Sequence, residues 1–381
     1  MSGPLGGIKV VELAGIGPGP YACMLLADAG ADVLRIDRVT GVRPDPNAPA
    51  HWDLLNRSRR SVAVDLKQPE GVALVLDLIS EADALIEGWR PGVAERLGLG
   101  PETCWERNPR LVYGRMTGWG QSGPLSDRAG HDIDYIAIGG ALWPIGRKGD
   151  RPVPPLNLVG DFGGGGMLMA FGVCAALLEA RTSGRGQVVD ASMTEGAASL
   201  MTMTYAFNQI GFWSENRGSN VLDTGAPYYE VYETSDGKWF AVGAIEAQFY
   251  AELLRVLELD LEELPPQNDR EHWPAMKQRF AAIFATRTRD EWTKRFEGTD
   301  ACGAPVLSPL EAHCHPHNEE RGSFVEVAGI VQPGPVPKFS RTPAEVRCPP
   351  PVSGRDTDEA LADWGVSVGR ISALREKRAI E

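Results

Sequence analysis

Between residues 8 and 118 short β-branched runs alternate with helix-patterned stretches, and this rhythm constrains the fold of the 381-residue chain more than any other feature. "IKVVELA" (8–14) suits a buried parallel strand, and "YACMLLADAG" (21–30) reads as a helix ended by Gly30. "ADVLRID" (31–37), "SVAVDL" (61–66), "DALIEGW" (83–89) and "RLVYGRMTG" (110–118) supply further strands, with a helix in "PEGVALVLDLISEA" (69–82). Strands separated by helices need crossover connections, so the pattern predicts an α/β fold with a doubly wound parallel sheet.

The pattern continues with helices around 132–143 and 163–181, a strand at 186–192 and a long helix over 193–211. Then the texture changes. Residues 226–245 predict a β-hairpin turning at Asp236-Gly237, followed by helices over 246–259, 270–286 and 289–298. From 331 the chain is rich in proline, which predicts an extended return strap. The expected division is a large domain over 1–212, a linker over 213–225, a small α+β domain over 226–325, and over 326–381 a return strap and C-terminal part packing on the large domain.

A net charge of −13 argues against a nucleic-acid surface, which needs a basic face. The N-terminal "MSGPLGGIKVVELAG" lacks the basic and apolar regions of a secretory leader, and no apolar run approaches bilayer length, so the expectation is a cytoplasmic protein without membrane insertion. Its six cysteines are scattered without CxxC spacing, as reduced thiols would be.

Several segments carry candidate chemistry. "GIGPGP" (15–20) between the first strand and helix resembles a dinucleotide fingerprint, but Pro20 replaces the third glycine and fits the first turn of a helix. Arg38, the "RSRR" run (57–60), Lys67, Arg90 and Arg96 fall near predicted strand ends, as either a solvated basic face or an anion site. In "AGHDIDY" (129–135), His131 precedes a helix and is either structural or a proton carrier. In "NLVGDFGGGG" (157–166), Asp161 is either a helix N-cap or a reactive acid, with four glycines that would let a ligand approach the backbone. Glu246 opens a helix, where an acid is also favoured by the dipole. "HCHPH" (313–317) matches no standard zinc spacing, so no metal is expected.

Together, "LGGIKVVELAGIGPGPYACMLLADAGADVLRIDR", "LIEGWRPGVAERLGLGP", "MTGWGQSGP", "AGHDIDY", "NLVGDFGGGG" and "GAPYYEVYETSDGKWFAVGAIE" resemble the family III CoA-transferase superfamily, and within it the α-methylacyl-CoA racemases. The resemblance implies a Rossmann-like large domain with a smaller α+β domain, and an interlocked homodimer whose active sites form between the two chains. It implies interconversion of (2R)- and (2S)-2-methylacyl-CoA thioesters through an enolate, with no cofactor beyond the CoA of the substrate. The alternative is a CoA-transferase with Asp161 as nucleophile. Histidine rather than tyrosine at position 131 favours the racemase, as does Glu246.

On that resemblance His131, Asp161 and Glu246 are the acid/base groups. CoA contacts are expected from Arg38, Val64, Asp65, Leu66, Lys67, Gly88, Trp89, Arg90, Arg96, Gly130, Asp132 and Tyr135, and an oxyanion site from the amides of Asp161, Phe162, Gly163 and Gly164. Met167, Met169, Met193, Met201 and Met203 would either receive the acyl chain or pack helices. The C-terminal "REKRAIE" is not a peroxisomal address, in keeping with the cytoplasmic expectation.

Overall fold

Along the first strand, β1 (Lys9–Leu13), Val10 faces one apolar cluster and Val11 and Leu13 the other, so this strand is buried on both faces. The computed structural model describes residues 3–39 and 51–381. The same alternation recurs in β2 (Asp32–Asp37), where Val33 faces one cluster and Leu34 and Ile36 the other. Such strands must be covered by helices on both sides, and parallel pairing through helical crossovers does this. Helix α1 (Pro18–Asp28) follows β1, with prolines in its first turn as the sequence suggested. The chain continues through β3 (Arg60–Ala63), α2 (Pro69–Ser80) and β4 (Ala84–Glu87). Then come α3 (Val93–Arg96), α4 (Pro101–Arg107), β5 (Val112–Thr117) and α5 (Asp132–Ile138).

A π-helix (Leu158–Met167) runs into α6 (Leu168–Ser183), followed by β6 (Val188–Ser192) and α7 (Met193–Leu200). Among the described residues the strands of this unit pair in the order β3-β2-β1-β4-β5-β6, all parallel. The order reverses between β1 and β4, where a crevice opens beyond the strand ends and an α/β sheet binds its ligand.

The chain divides into two compact units, one of Met1–Ala141, Leu156–Met201 and Glu319–Glu381, the other of Leu142–Pro155 and Thr202–Asn318. The second contains α8 (Thr202–Gln209), the hairpin β7 (Tyr229–Glu233) and β8 (Trp239–Gly243), and α9 (Ala247–Val256). After α10 (Trp273–Phe284) and α11 (Arg289–Phe296), β9 (Gly303–Pro305) joins the antiparallel sheet, and α12 (Pro309–Ala312) follows. Its core is aromatic: Tyr232 stacks on Phe284 at 5.0 Å, and Trp292 lies 4.8 Å from the same ring.

The expected boundaries at 212 and 325 therefore shift to Met201 and Asn318, and segment 142–155 joins the small unit. Buried Glu230 explains the gain, because it pairs with Arg147 of that segment and takes Lys277 Nζ at 2.6 Å. The expected linker is part of this unit too: Asp223 accepts hydrogen bonds from the Gly218 and Asn220 amides, locking a turn. The long helix predicted over 193–211 breaks at Met201 into α7 and α8.

The C-terminal part packs on the large unit as expected, but through two helices that the proline-rich texture did not announce. After α13 (Pro316–Glu320) and the hairpin β10 (Phe324–Val327) and β11 (Ile330–Pro333), the chain forms α14 (Thr357–Asp363) and α15 (Val368–Glu376). Ala360, Leu361, Trp364, Ile371 and Leu374 from these helices enter one sheet-face core, so this end is core and not strap alone. The prolines that suggested a strap precede the helices. By length and composition the run Leu158–Ser183, 26 residues, could also cross a membrane, contrary to the sequence expectation. In this fold Met169, Val173, Ala176 and Ala180 of that run lie in the core on the other sheet face.

Candidate active site

The crevice at the strand-order reversal is a cavity of about 810 Å³. Residues following β1 (Gly15, Gly17), β4 (Gly88, Trp89, Arg90) and β5 (Gly118, Trp119) line it, with Gly130, His131 and Tyr135 from the start of α5 and Asp161 and Phe162 from the π-helix. Gly17 has φ of +70°, a backbone state that glycine adopts without strain, and a Cβ there would stand 3.3 Å from Asp161 Oδ2. Its missing side chain keeps the aspartate face open.

Asp161 is not the helix N-cap. The π-helix begins three residues earlier, placing Asp161 inside its first turn. The glycines allow the wide turn and close packing, since a Cβ at Gly164 would collide with the Ala197 amide at 2.7 Å and one at Gly166 with the Pro18 carbonyl at 2.7 Å. Inserted π-turns recur at functional sites. The Asp161 carboxyl is half-buried, with Oδ2 accepting Asn157 Nδ2 at 3.0 Å. Burial raises its pKa above the usual carboxylate range, Asp132 adds to the rise, and the Asn157 hydrogen bond and His131 oppose it.

The Asp161 amide donates to Asp132 Oδ2 at 2.7 Å. It is therefore engaged, and π winding directs the following amides, those of Phe162, Gly163 and Gly164, toward carbonyls five residues back. The expected oxyanion site of four free amides is not formed. His131 caps α5 from the exposed side, with its own amide donating to Asp134 Oδ2 at 3.0 Å. The Tyr135 hydroxyl donates to the Gly130 carbonyl, its ring meets Trp119 edge-on at 4.8 Å, and burial holds its pKa up.

The family model for CoA-transferase family III matches residues 5–357. The chain is 47% identical to the Mus musculus protein named alpha-methylacyl-CoA racemase and 46% identical to the Homo sapiens protein of that name, each over 99% of this chain and 97% of the relative. A crystal structure of a CAIB/BAIF family protein from Brucella suis superposes with a TM-score of 0.82 at 23% identity, covering 96% of this chain and all of that one. The chain belongs to CoA-transferase family III.

Within this family III fold, the cavity collects eight of the residues anticipated from the sequence: Gly88, Trp89, Arg90, Gly130, His131, Tyr135, Asp161 and Phe162. Arg38, Leu66, Lys67 and Arg96 lie outside its lining, the three cations exposed. Val64 is buried in the core and bridges to Ile380, so its side chain cannot meet a ligand. Asp65 caps its own turn through the Lys67 amide at 3.0 Å and Gln68 Nε2 at 3.1 Å. Asp132 is buried and outside the lining, and Gly163 and Gly164, half-buried and buried within the π-helix, are outside it too. Glu246 is the exposed N-cap of α9 in the small unit.

Of the methionines, Met193 lines the cavity while Met169 is core and Met167 and Met203 are exposed. The sequence reading missed Glu12, Trp52, Asp53, Glu87 and Arg128 in the lining. Glu87 was accessible to reasoning, since it ends β4 beside the reversal. Its buried carboxyl accepts the Trp89 amide at 2.7 Å and Arg115 Nε at 3.1 Å, and burial raises its pKa. All six cysteines are free thiols.

Proposed function

We propose that this chain racemises 2-methylacyl-CoA thioesters. Inversion requires removing the α-proton from one face of a planar enolate and returning a proton to the other, hence two acid/base groups. The observation that carries the reading is that an imidazole, His131, and a half-buried carboxyl, Asp161, whose pKa burial raises, line one cavity. The relatives named as racemases over nearly the full length support it.

In this mechanism the thioester enters between them, and one group takes the α-proton while the other donates. The positive end of the helical run beginning at Leu158 lies beside Asp161 and offsets enolate charge. Trp52, Trp89, Trp119, Met116 and Met193 supply an apolar wall for the acyl part. Arg90 at the cavity, with exposed Arg38, Lys67 and Arg96 beyond neighbouring strand ends, would hold the anionic part of CoA. The reaction needs no cofactor beyond the CoA carried by the substrate. A homodimer belongs to the same reading, with Glu246 of the partner subunit as a third proton-carrying group. Exposed Phe171 and Leu178 of α6, at 72% and 70%, fit a surface covered by a second copy.

The test is α-proton exchange in D2O with a single-enantiomer 2-methylacyl-CoA and no added cofactor or metal. Deuterium incorporation with loss of optical purity is expected. Absence of exchange, with CoA passing to a free carboxylate and an acyl anhydride trapped on Asp161, would establish the transferase instead.

A further inference from the structure

Asp132 takes part in none of these steps, yet it is placed unlike an ordinary helix-start aspartate. It is 7% exposed at the first position of α5. Oδ2 accepts the Asp161 amide at 2.7 Å, while Oδ1 is buried without a hydrogen-bond partner among the described residues. Among the described residues no cationic side chain pairs with it. A Cβ at Gly160 would lie 2.5 Å from Asp132 Oδ2, so the absence of a side chain at 160 admits this carboxyl under the turn. Burying a carboxylate with one oxygen unsatisfied costs stability, and an apolar residue of similar size would avoid that cost.

We propose that Asp132 is a positioning residue for the proton transfer: it anchors the π-turn through the Asp161 amide and sets its unpartnered carboxyl oxygen beneath the turn that carries Asp161. Its action on the reaction rests on the racemase reading, but the coupling of the two carboxyls belongs to the resting protein. One hydrogen bond fixes the backbone from which the Asp161 carboxyl projects into the cavity, and the Asp132 charge makes ionising that carboxyl harder. Other titratable groups around the π-turn are His131, Asp134 and Tyr135 at α5, Tyr21 on α1, whose ring lies 4.8 Å from Phe162, and Glu195 on α7. These stay unchanged in the test.

The experiment follows the side-chain carboxyl signals of 13C-aspartate-labelled full-length protein against pH, with Asp161 assigned by its loss in D161N. D132N keeps an oxygen to accept the Asp161 amide and removes the charge. Its Asp161 midpoint should fall by about one pH unit. In the exchange assay, the limb that needs protonated Asp161 should move down by the same amount, with KM unchanged. An unmoved midpoint in folded D132N overturns the proposal. Should D132N not fold, wild type decides: the Asp161 signal should show two coupled steps, and a single independent step overturns the proposal. Coupling without substrate exchange would support this inference and overturn the racemase reading. Exchange with an unmoved midpoint would do the reverse.

Discussion

The carboxyl end of β3 differs from those of β1, β4 and β5 in what covers it. Beyond β3 the chain closes on itself: Val64 bridges to Ile380, the Asp65 amide donates to the Ala379 carbonyl at 2.9 Å, and the Asp65 carboxyl is spent on its own turn. Beyond β1, β4 and β5 no such cover exists among the described residues, and the structure places there a left-handed glycine, a π-turn, a half-buried acid and an exposed histidine. Strand ends in one sheet thus diverge because the chain's last residues fill only that of β3. The filled end contributes stability and surface cations, and the open end contributes chemistry.

The largest expected effect breaks the open end. Asp161→Asn and His131→Gln should each slow racemisation by about 10²- to 10⁴-fold, the usual worth of a positioned proton carrier. Each should still exchange the α-proton of one enantiomer with retention, because one base survives on one face. The two variants should retain opposite enantiomers, read by mass and chiral analysis of the thioester after incubation in D2O. Retention of the same enantiomer by both would remove the two-face arrangement.

The stability that the C-terminal segment lends the sheet is tested through Trp364, which is buried and donates Nε1 to Asp32 Oδ2 at 3.0 Å at the amino end of β2. Trp364→Ala should lower unfolding free energy by about 3–5 kcal/mol, from lost burial and a cavity. Turnover per folded molecule should stay near wild type, as checked by denaturant melts beside the exchange assay.

How much of this was legible in the sequence follows the same division. The strands and helices from 8 to 118 were readable because β-branched runs bounded by Gly and Pro carry local signals. Pro20 does fall in the first turn of α1, though the helix starts at Pro18 rather than at 21. His131 and Asp161 were found as candidates by their segments. Their meeting at one cavity wall is tertiary and could not be read from spacing. The π-turn was hidden because four glycines are equally compatible with a flexible loop. Asp132 looked like a ligand contact because nothing local reveals that its side chain turns inward beneath Gly160. The C-terminal helices were missed because nearby prolines dominated the texture, while Leu361, Trp364, Ile371 and Leu374 acquire their role only against the sheet.

A smaller effect separates cations at the open and filled ends. Arg90 lines the cavity and is close enough to Tyr135 to act electrostatically on its hydroxyl, so Arg90→Ala should raise KM for acyl-CoA by about tenfold, the loss of one charge-assisted contact of ~1.4 kcal/mol. Lys67 is exposed at the covered end and outside the lining, so solvent and salt screen whatever it holds. Lys67→Ala should raise KM by about threefold or less, within the range of a surface ion pair. That difference should vanish as ionic strength increases, while the Arg90 effect, from a side chain that is also exposed but lines the cavity, should fall less steeply. Measuring KM for both variants across a salt series decides the matter. If Lys67→Ala exceeds Arg90→Ala and resists salt, the bound CoA must order the β3 end into an enclosed site, and the contrast between open and filled strand ends would hold for the free protein alone.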